Sequence, residues 1–119
     1  MGNVNINSGS VETLDRIDGD LNLANGATVK AKGARKVEVS GSVQYEGNCV
    51  FECSLSANSI RGKHGDLIIK GDLSVDKSIR IYEGSLEVEG DLTAGDVEVD
   101  KKVSVEKNLS AGKVEVGGK

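Results

Sequence analysis

Apolar residues in the last third of the chain recur at a constant spacing of 17 positions. The pair Leu86 and Val88 returns as Val103 and Val105, with one polar residue inside each pair. Alternation with a period of two places apolar side chains on one face of a strand, whereas a helix needs spacings of three and four. The repeat therefore predicts short β-strands. Two further sets return at the same spacing: Leu92 and Ala94 as Leu109 and Ala111, and Val97 and Val99 as Val114 and Val116.

The same pattern extends towards the N-terminus with spacings of 18 and 19 residues. Each repeat holds three short strands, which indicates one coil of a β-solenoid. Coils of this kind must stack, because one coil cannot bury its own apolar face. We predict an all-β fold, a single parallel β-helix of about six coils of 17 to 19 residues. Parallel crossover connections are almost always right-handed, so we expect a right-handed coil.

The regularity of the repeat divides the single predicted domain, residues 1–119, into two parts. Residues 36–119 follow the pattern closely, while residues 1–35 follow it loosely. The stretch Val11–Ile17 does not fit the alternation, and we predict that it is a capping loop. Such a cap would block growth of the solenoid from its N-terminal end.

Small and polar residues stand where the strands should meet at corners, as in the pair Gly90-Asp91. Glycine, aspartate, asparagine and serine all tolerate tight turns. Gly62, His64 and Gly65 follow one another closely, so we predict a longer, protruding bend at that point.

Residues between the apolar pairs should point outwards and stack from coil to coil into columns. Two interpretations stay open for the acidic residues of these columns near the C-terminus. They contact a basic protein partner, or they keep the protein soluble. The three columns are Arg61, Arg80, Glu98 and Glu115; Glu52, Lys70, Glu89 and Glu106; and Ser56, Ser74, Thr93 and Ser110.

The charge of the chain argues against one class of partner. The formal net charge is −4 and the pI is near 5.0, which disfavours non-specific binding to nucleic acid. A short basic cluster of Lys30, Lys32, Arg35 and Lys36 is either a solvated face or a contact with a partner. No apolar run approaches the roughly 18 residues that a membrane-spanning helix needs, so we predict no membrane span.

Residues that support catalysis are few in this sequence. His64 is the single histidine, which excludes a zinc site built from three histidines. Neither the glycine-rich dinucleotide fingerprint nor the phosphate-binding loop motif occurs. We therefore predict that the protein is not an enzyme and uses no cofactor and no metal.

The two cysteines, Cys49 and Cys53, stand four positions apart. If both lie on one strand, their Cα atoms are about 13 Å apart, whereas a disulfide needs less than about 7 Å. We expect them to pack as small apolar side chains. Reduced thiols agree with a cytoplasmic location.

Two segments, GDLIIKGDLSVDKSIRIYEG and GSLEVEGDLTAGDVEVDKKVSVEKNLSAGKVEV, resemble the bactofilins, a family of polymer-forming bacterial cytoskeletal proteins. The likeness lies in the recurring Gly-Asp-Leu and Gly-Ser-Leu, the Val-Glu-Val strands and the coil length. It covers residues 36–119. The resemblance implies a right-handed triangular β-helix that polymerises end to end without nucleotide.

Two functional hypotheses follow from these observations. In the first, the protein is a non-enzymatic structural or scaffolding solenoid that forms a homo-oligomer through its coil ends or faces. The candidate contacts are Leu109, Val114 and Val116 of the last coil, together with the basic cluster. In the alternative, it is a small acidic binding or inhibitor protein, for example phage-encoded, that blocks a host protein or a nucleic-acid-binding complex. A polymer needs open coil ends, whereas an inhibitor should cap at least one.

Overall fold

The computed structural model describes residues 3–31 and 36–117, and this part of the chain is all β. Lys32 and Arg35 of the basic cluster lie outside the described residues. The strands are β1 (Val4–Ile6), β2 (Val11–Leu14), β3 (Arg16–Ile17), β4 (Leu21–Leu23), β5 (Thr28–Ala31), β6 (Lys36–Val39), β7 (Ser42–Glu46), β8 (Cys49–Phe51), β9 (Ser54–Ala57), β10 (Ser59–Lys63), β11 (Leu67–Ile69), β12 (Leu73–Val75), β13 (Ser78–Tyr82), β14 (Leu86–Val88), β15 (Leu92–Val99), β16 (Val103–Val105) and β17 (Leu109–Val116).

Every strand pairs in parallel with the strand one coil away, which confirms the predicted β-solenoid of about six coils. The strands form three faces. Face 1 consists of β1, β4, β7, β10, β13 and the second halves of β15 and β17. Face 2 consists of β2, β5, β8, β11, β14 and β16. Face 3 consists of β3, β6, β9, β12 and the first halves of β15 and β17.

The length of the coil is less uniform than the sequence pattern predicts. Leu67 lies beside Leu86, and Leu86 lies beside Val103, so those spacings are 19 and 17 residues. In the N-terminal third, Ile17 lies beside Val39, which is a spacing of 22. The additional residues stand between β5 and β6 in the sequence. The prediction of 17 to 19 residues per coil is therefore wrong for this one coil.

The stretch Val11–Ile17 forms β2 and β3, so the predicted capping loop is wrong. These strands pair in parallel with β5 and β6 and belong to the first coil. The alternation failed as a guide because Glu12 occupies the position that Val29 and Phe51 hold in the next two coils. Pairing with the neighbouring coil determines the strand here, whereas local hydrophobicity does not.

The predicted long bend at residues 62–65 is also shorter than expected. Gly62 lies inside β10, directly between Tyr45 of β7 and Ile81 of β13. It is buried at an inward position, and its missing side chain leaves room for the Tyr45 ring. The turn itself begins at His64, which has a positive φ of 57°, as does Glu83 at 58° one coil later.

Mostly aliphatic side chains from all three faces fill the interior, and no charged side chain is buried among the described residues. The hydroxyl of Tyr45 is buried there without a hydrogen-bond partner. The corners hold the coils in register through a second set of contacts. Asp66 Oδ1 accepts a hydrogen bond from the Ser85 backbone N–H at 3.0 Å, and Asp72 Oδ1 accepts one from Asp91 N–H at 2.8 Å. Side-chain oxygens thus continue the ladder where strand pairing stops. No helix in the described residues is long and apolar enough to cross a membrane.

Candidate functional site: the C-terminal coil end and the charged column

The last coil exposes apolar side chains that the coil before it buries. Leu109, Val114 and Val116 are 45%, 41% and 47% exposed. Their neighbours one coil back on β15 are all buried. The difference arises because β17 pairs with β15 on one edge only, and no other described residue packs on its second edge. We call this surface, formed by the free edges of β16 and β17, the C-terminal coil end.

The opposite end of the rod has a different character. Ile6 and Ile17 of the first coil are buried. On face 2 of that coil, the inward position is occupied by Glu12, which is exposed. A charge at a position that would otherwise be apolar is one way in which proteins protect a sheet edge from pairing. The two ends are therefore not equivalent, and the C-terminal coil end is the more apolar one.

Face 1 carries a row of charged side chains, Arg61, Arg80, Glu98 and Glu115, which we call the charged column. The register places each of them directly beside the next. Arg80 Nε lies 3.4 Å from Glu98 Oε1, and both side chains are about half exposed. Tyr82 lies beside the column and is 46% exposed. The strands of face 1 thus present charge and one aromatic ring to the solvent.

Face 2 holds an acidic cluster near the same end of the rod. Carboxylate oxygens of Glu87, Glu89 and Glu106 lie within 4.8 Å of one another. Carboxylate oxygens are ligands that hard divalent cations accept. The three side chains are exposed or half-buried, and exposed carboxylates also repel one another in the absence of a cation.

The basic cluster does not form a single surface in the part of the chain that the structure describes. Lys30 lies on face 2 with its Nζ 3.7 Å from Glu52 Oε1, and Lys36 lies on face 3 with its Nζ 3.9 Å from Glu38 Oε2. Each of these two lysines is thus beside a carboxylate, so their charges are locally balanced. The positions of Lys32 and Arg35 belong to residues 32–35, outside the described ranges.

The single histidine lies at the surface of the rod, whereas the two thiols lie inside it. His64 Nδ1 pairs with Glu83 Oε1 at an exposed corner of the solenoid. Cys49 and Cys53 are free thiols and both are buried. Burial raises the pKa of each thiol from 9.0 to about 11, whereas a reactive cysteine needs a lowered pKa. Burial also raises the pKa of Tyr45 well above its usual range, with the nearby Cys49 and Asp66 adding to the effect.

The two buried thiols predict a specific dependence of stability on pH. Well below pH 9 they are protonated in both the folded and the unfolded chain and contribute no pH dependence. Between pH 9 and about 11 the unfolded chain ionises more than the folded chain, so the free energy of unfolding falls as pH rises, by at most about 1 kcal/mol per pH unit for each thiol. Urea titrations at several pH values measure this slope. The double variant Cys49→Ala, Cys53→Ala should lose this part of it, and equal slopes in both proteins would contradict the prediction.

Comparison of the chain with known proteins gave no match among family models, curated proteins or solved structures. The resemblance to bactofilins therefore stays a prediction from the rhythm of residues 36–119. The C-terminal coil end and the charged column are the features of the molecule from which a function can be inferred.

Proposed function

We propose that the protein is a non-enzymatic structural or scaffolding solenoid that self-associates through its C-terminal coil end. One observation carries this proposal, the exposure of Leu109, Val114 and Val116 together on one end of the rod. Besides these three, only Val11 and Tyr82 are large exposed apolar residues among those described. Three of the five are thus concentrated on a surface about one coil wide.

The coil end also offers hydrogen-bonding groups to a second copy. The outer edges of β16 and β17 present backbone N–H and C=O groups that pair with no other described strand. An exposed strand edge is a template for pairing with another chain. Burying the exposed halves of three aliphatic side chains adds about 1 kcal/mol for each. Backbone pairing and apolar burial therefore favour the same contact.

The placement of the reactive groups supports a role without catalysis. The thiols of Cys49 and Cys53 lie inside the rod with raised pKa values, and His64 is paired at an exposed corner. Nucleophilic catalysis needs a nucleophile and a base within hydrogen-bond reach. Free thiols also support a reducing compartment such as the cytoplasm.

Val116→Lys should abolish self-association, because it places a charge in the apolar centre of the coil end. Ser110→Lys is the matched control, since Ser110 lies on the same strand but is outward and exposed. Light scattering coupled to size exclusion, over a range of protein concentrations, measures the mass. In about 0.5 M salt, wild type and Ser110→Lys should grow in mass with concentration, while Val116→Lys should stay monomeric. Negative-stain microscopy of the same samples distinguishes filaments from closed oligomers.

Two outcomes would contradict the proposal. A wild-type chain that remains monomeric at every concentration would exclude self-association and favour the small acidic binding protein instead. Unchanged assembly of Val116→Lys would show that the contact lies elsewhere on the molecule.

A further inference from the structure

The order of charges along the charged column is unusual for a surface that only faces solvent. The two arginines, Arg61 and Arg80, are direct neighbours, and so are the two glutamates, Glu98 and Glu115. Like charges directly opposite each other on adjacent strands are destabilising, whereas an alternating order would let every arginine lie between glutamates. The column thus has a basic half and an acidic half.

Contacts within the chain relieve this arrangement only in part. Arg80 pairs with Glu98 at the boundary of the two halves, and Glu115 Oε2 lies 3.3 Å from Lys113 Nζ. Arg61 makes no ion pair with any residue in the ranges 3–31 and 36–117. The basic half is therefore left with an unbalanced guanidinium, a group suited to recognising a carboxylate.

A block of two positive charges followed by two negative charges is complementary to its own reverse. Consider two antiparallel rods whose faces 1 are in contact. They are related by a two-fold axis that lies in the plane between the two faces. The axis is perpendicular to the long axis of the rods and passes between the levels of Arg80 and Glu98. In this arrangement Arg80 of one copy lies opposite Glu98 of the other, and Arg61 lies opposite Glu115. No like charges of the column meet. A two-fold contact uses the same patch on both copies, which this column allows.

The neighbouring positions on face 1 fit the same arrangement. Asp100 follows Val99, which pairs with Ile81, so Asp100 lies beside Tyr82 on the next strand. Asp100 Oδ2 accepts a hydrogen bond from the Glu83 backbone N–H at 2.8 Å within the chain. The two-fold axis brings Tyr82 of one copy opposite Asp100 of the other, where the phenol can donate a hydrogen bond to the remaining oxygen, Oδ1. Exposed tyrosines are typical of protein interfaces, and Tyr82 is 46% exposed.

We propose that a second copy of this chain docks on face 1, with the rods antiparallel and the charged column as the contact. The surface is separate from the C-terminal coil end, because the column points outwards while Leu109, Val114 and Val116 point inwards. One contact extends the rod and the other joins rods side by side. Exposed ion pairs are individually weak and screened by salt, so the lateral contact forms at low ionic strength and weakens as salt is added.

The test uses two charge-reversed variants of the column. Arg61→Glu with Arg80→Glu makes all four positions acidic, and Glu98→Arg with Glu115→Arg makes all four basic. The reference protein keeps the natural column, and all three proteins also carry Leu109→Lys. This substitution blocks association through the coil end, and it lies on face 3, away from the charged column. Sedimentation velocity with one variant fluorescently labelled measures pairing at about 0.02 M and about 0.5 M salt.

The expected results separate pairing from folding. The chain with the unreversed column dimerises at low salt, and its association constant falls about tenfold or more at high salt. Each reversed variant alone remains monomeric, because like charges now meet, and the equimolar mixture of the two restores the dimer. Restoration on mixing also excludes misfolding as the cause of the loss.

Either of two results would overturn the proposal: a mixture that stays monomeric at low salt, or reversed variants that dimerise alone as the unreversed chain does. Failure of the end-to-end contact has a different signature. In that case Val116→Lys leaves assembly unchanged while the charge-reversed mixture still pairs.

Discussion

Gly62→Val lowers the free energy of unfolding by about 3 kcal/mol or more. A side chain at this buried position would overlap the Tyr45 ring, since even a Cβ atom would stand 2.6 Å from the Tyr45 hydroxyl oxygen and closer still to the ring carbons. Tyr45 is itself buried and held between Leu23 and Gly62 in the stack of face 1, so the ring packs against both neighbouring coils. Overpacking of this kind forces the backbone or the ring out of position. Denaturant titration measures the loss.

A double-mutant cycle attributes that loss to the ring. Combining Gly62→Val with Tyr45→Val replaces a large and small pair by two medium side chains, and should recover most of the stability. Combining Gly62→Val with Tyr45→Phe removes only the unpaired hydroxyl and keeps the ring carbons that overlap most, so it should recover only a small part of the loss. If both double variants were equally unstable, the clash with the ring would not be the cause.

Gly84→Ala should destabilise the fold by about 3 kcal/mol, although alanine adds a single methyl group. Gly84 stacks on Gly65 at the corner between faces 1 and 2, and Gly65 in turn stacks on Gly47. A Cβ at Gly84 would stand 2.7 Å from the Gly65 carbonyl carbon and closer to its oxygen. Because the obstacle is backbone, no rotamer change relieves it, and the two coils must separate at this corner.

The neighbouring residue provides the matched control for this corner. Ser85→Ala removes a hydroxyl at the next position but leaves the backbone N–H that donates to Asp66, so its effect should stay within about 0.5 kcal/mol. The difference between the two variants is measured by the midpoints of their thermal or urea transitions. Equal, small effects at both positions would show that the corner has room for a methyl group at Gly84, which contradicts the prediction.

The alternation of apolar and polar residues was sufficient to predict the strands of the C-terminal half. Leu86 and Val88 are both buried on β14, as their period-two spacing predicts. The repeat also predicted the direction of pairing, because equivalent residues such as Leu92 and Leu109 lie side by side in adjacent parallel strands. These features depend on short stretches of sequence that recur, so the strands of each coil can be predicted from the residues of that coil.

The alternation pattern failed at residues whose role depends on contacts with the neighbouring coil. Glu12 interrupts the alternation of β2, yet pairing with β5 still makes this segment a strand. Gly62 indicates a turn when it is considered alone, and only the position of the Tyr45 ring one coil away explains a glycine inside β10. The sequence did contain a signal for the glycine at position 62. Tyr45, at the equivalent position one coil earlier, is the one large aromatic residue among the inward-facing residues of face 1.

The candidate surfaces divide in the same way. The members of the charged column followed from the repeat, because equal spacing places Arg61, Arg80 and Glu98 on one face. The pairing of Arg80 with Glu98, and the absence of an ion pair for Arg61 within residues 3–31 and 36–117, required the three-dimensional arrangement of the side chains. Contacts between neighbouring side chains depend on distances of a few ångströms, which spacing alone does not specify.

The sequence by itself determined that the chain forms a parallel β-solenoid, which residues face inwards and which columns run along its surface. It could do so because strand alternation is local and the coils repeat. The tertiary structure alone decided where the 22-residue coil lies, how Gly47, Gly65 and Gly84 stack on one another and how the two ends differ. Those features arise from contacts between residues about one coil apart, where the size or charge of one side chain limits what its neighbour can be.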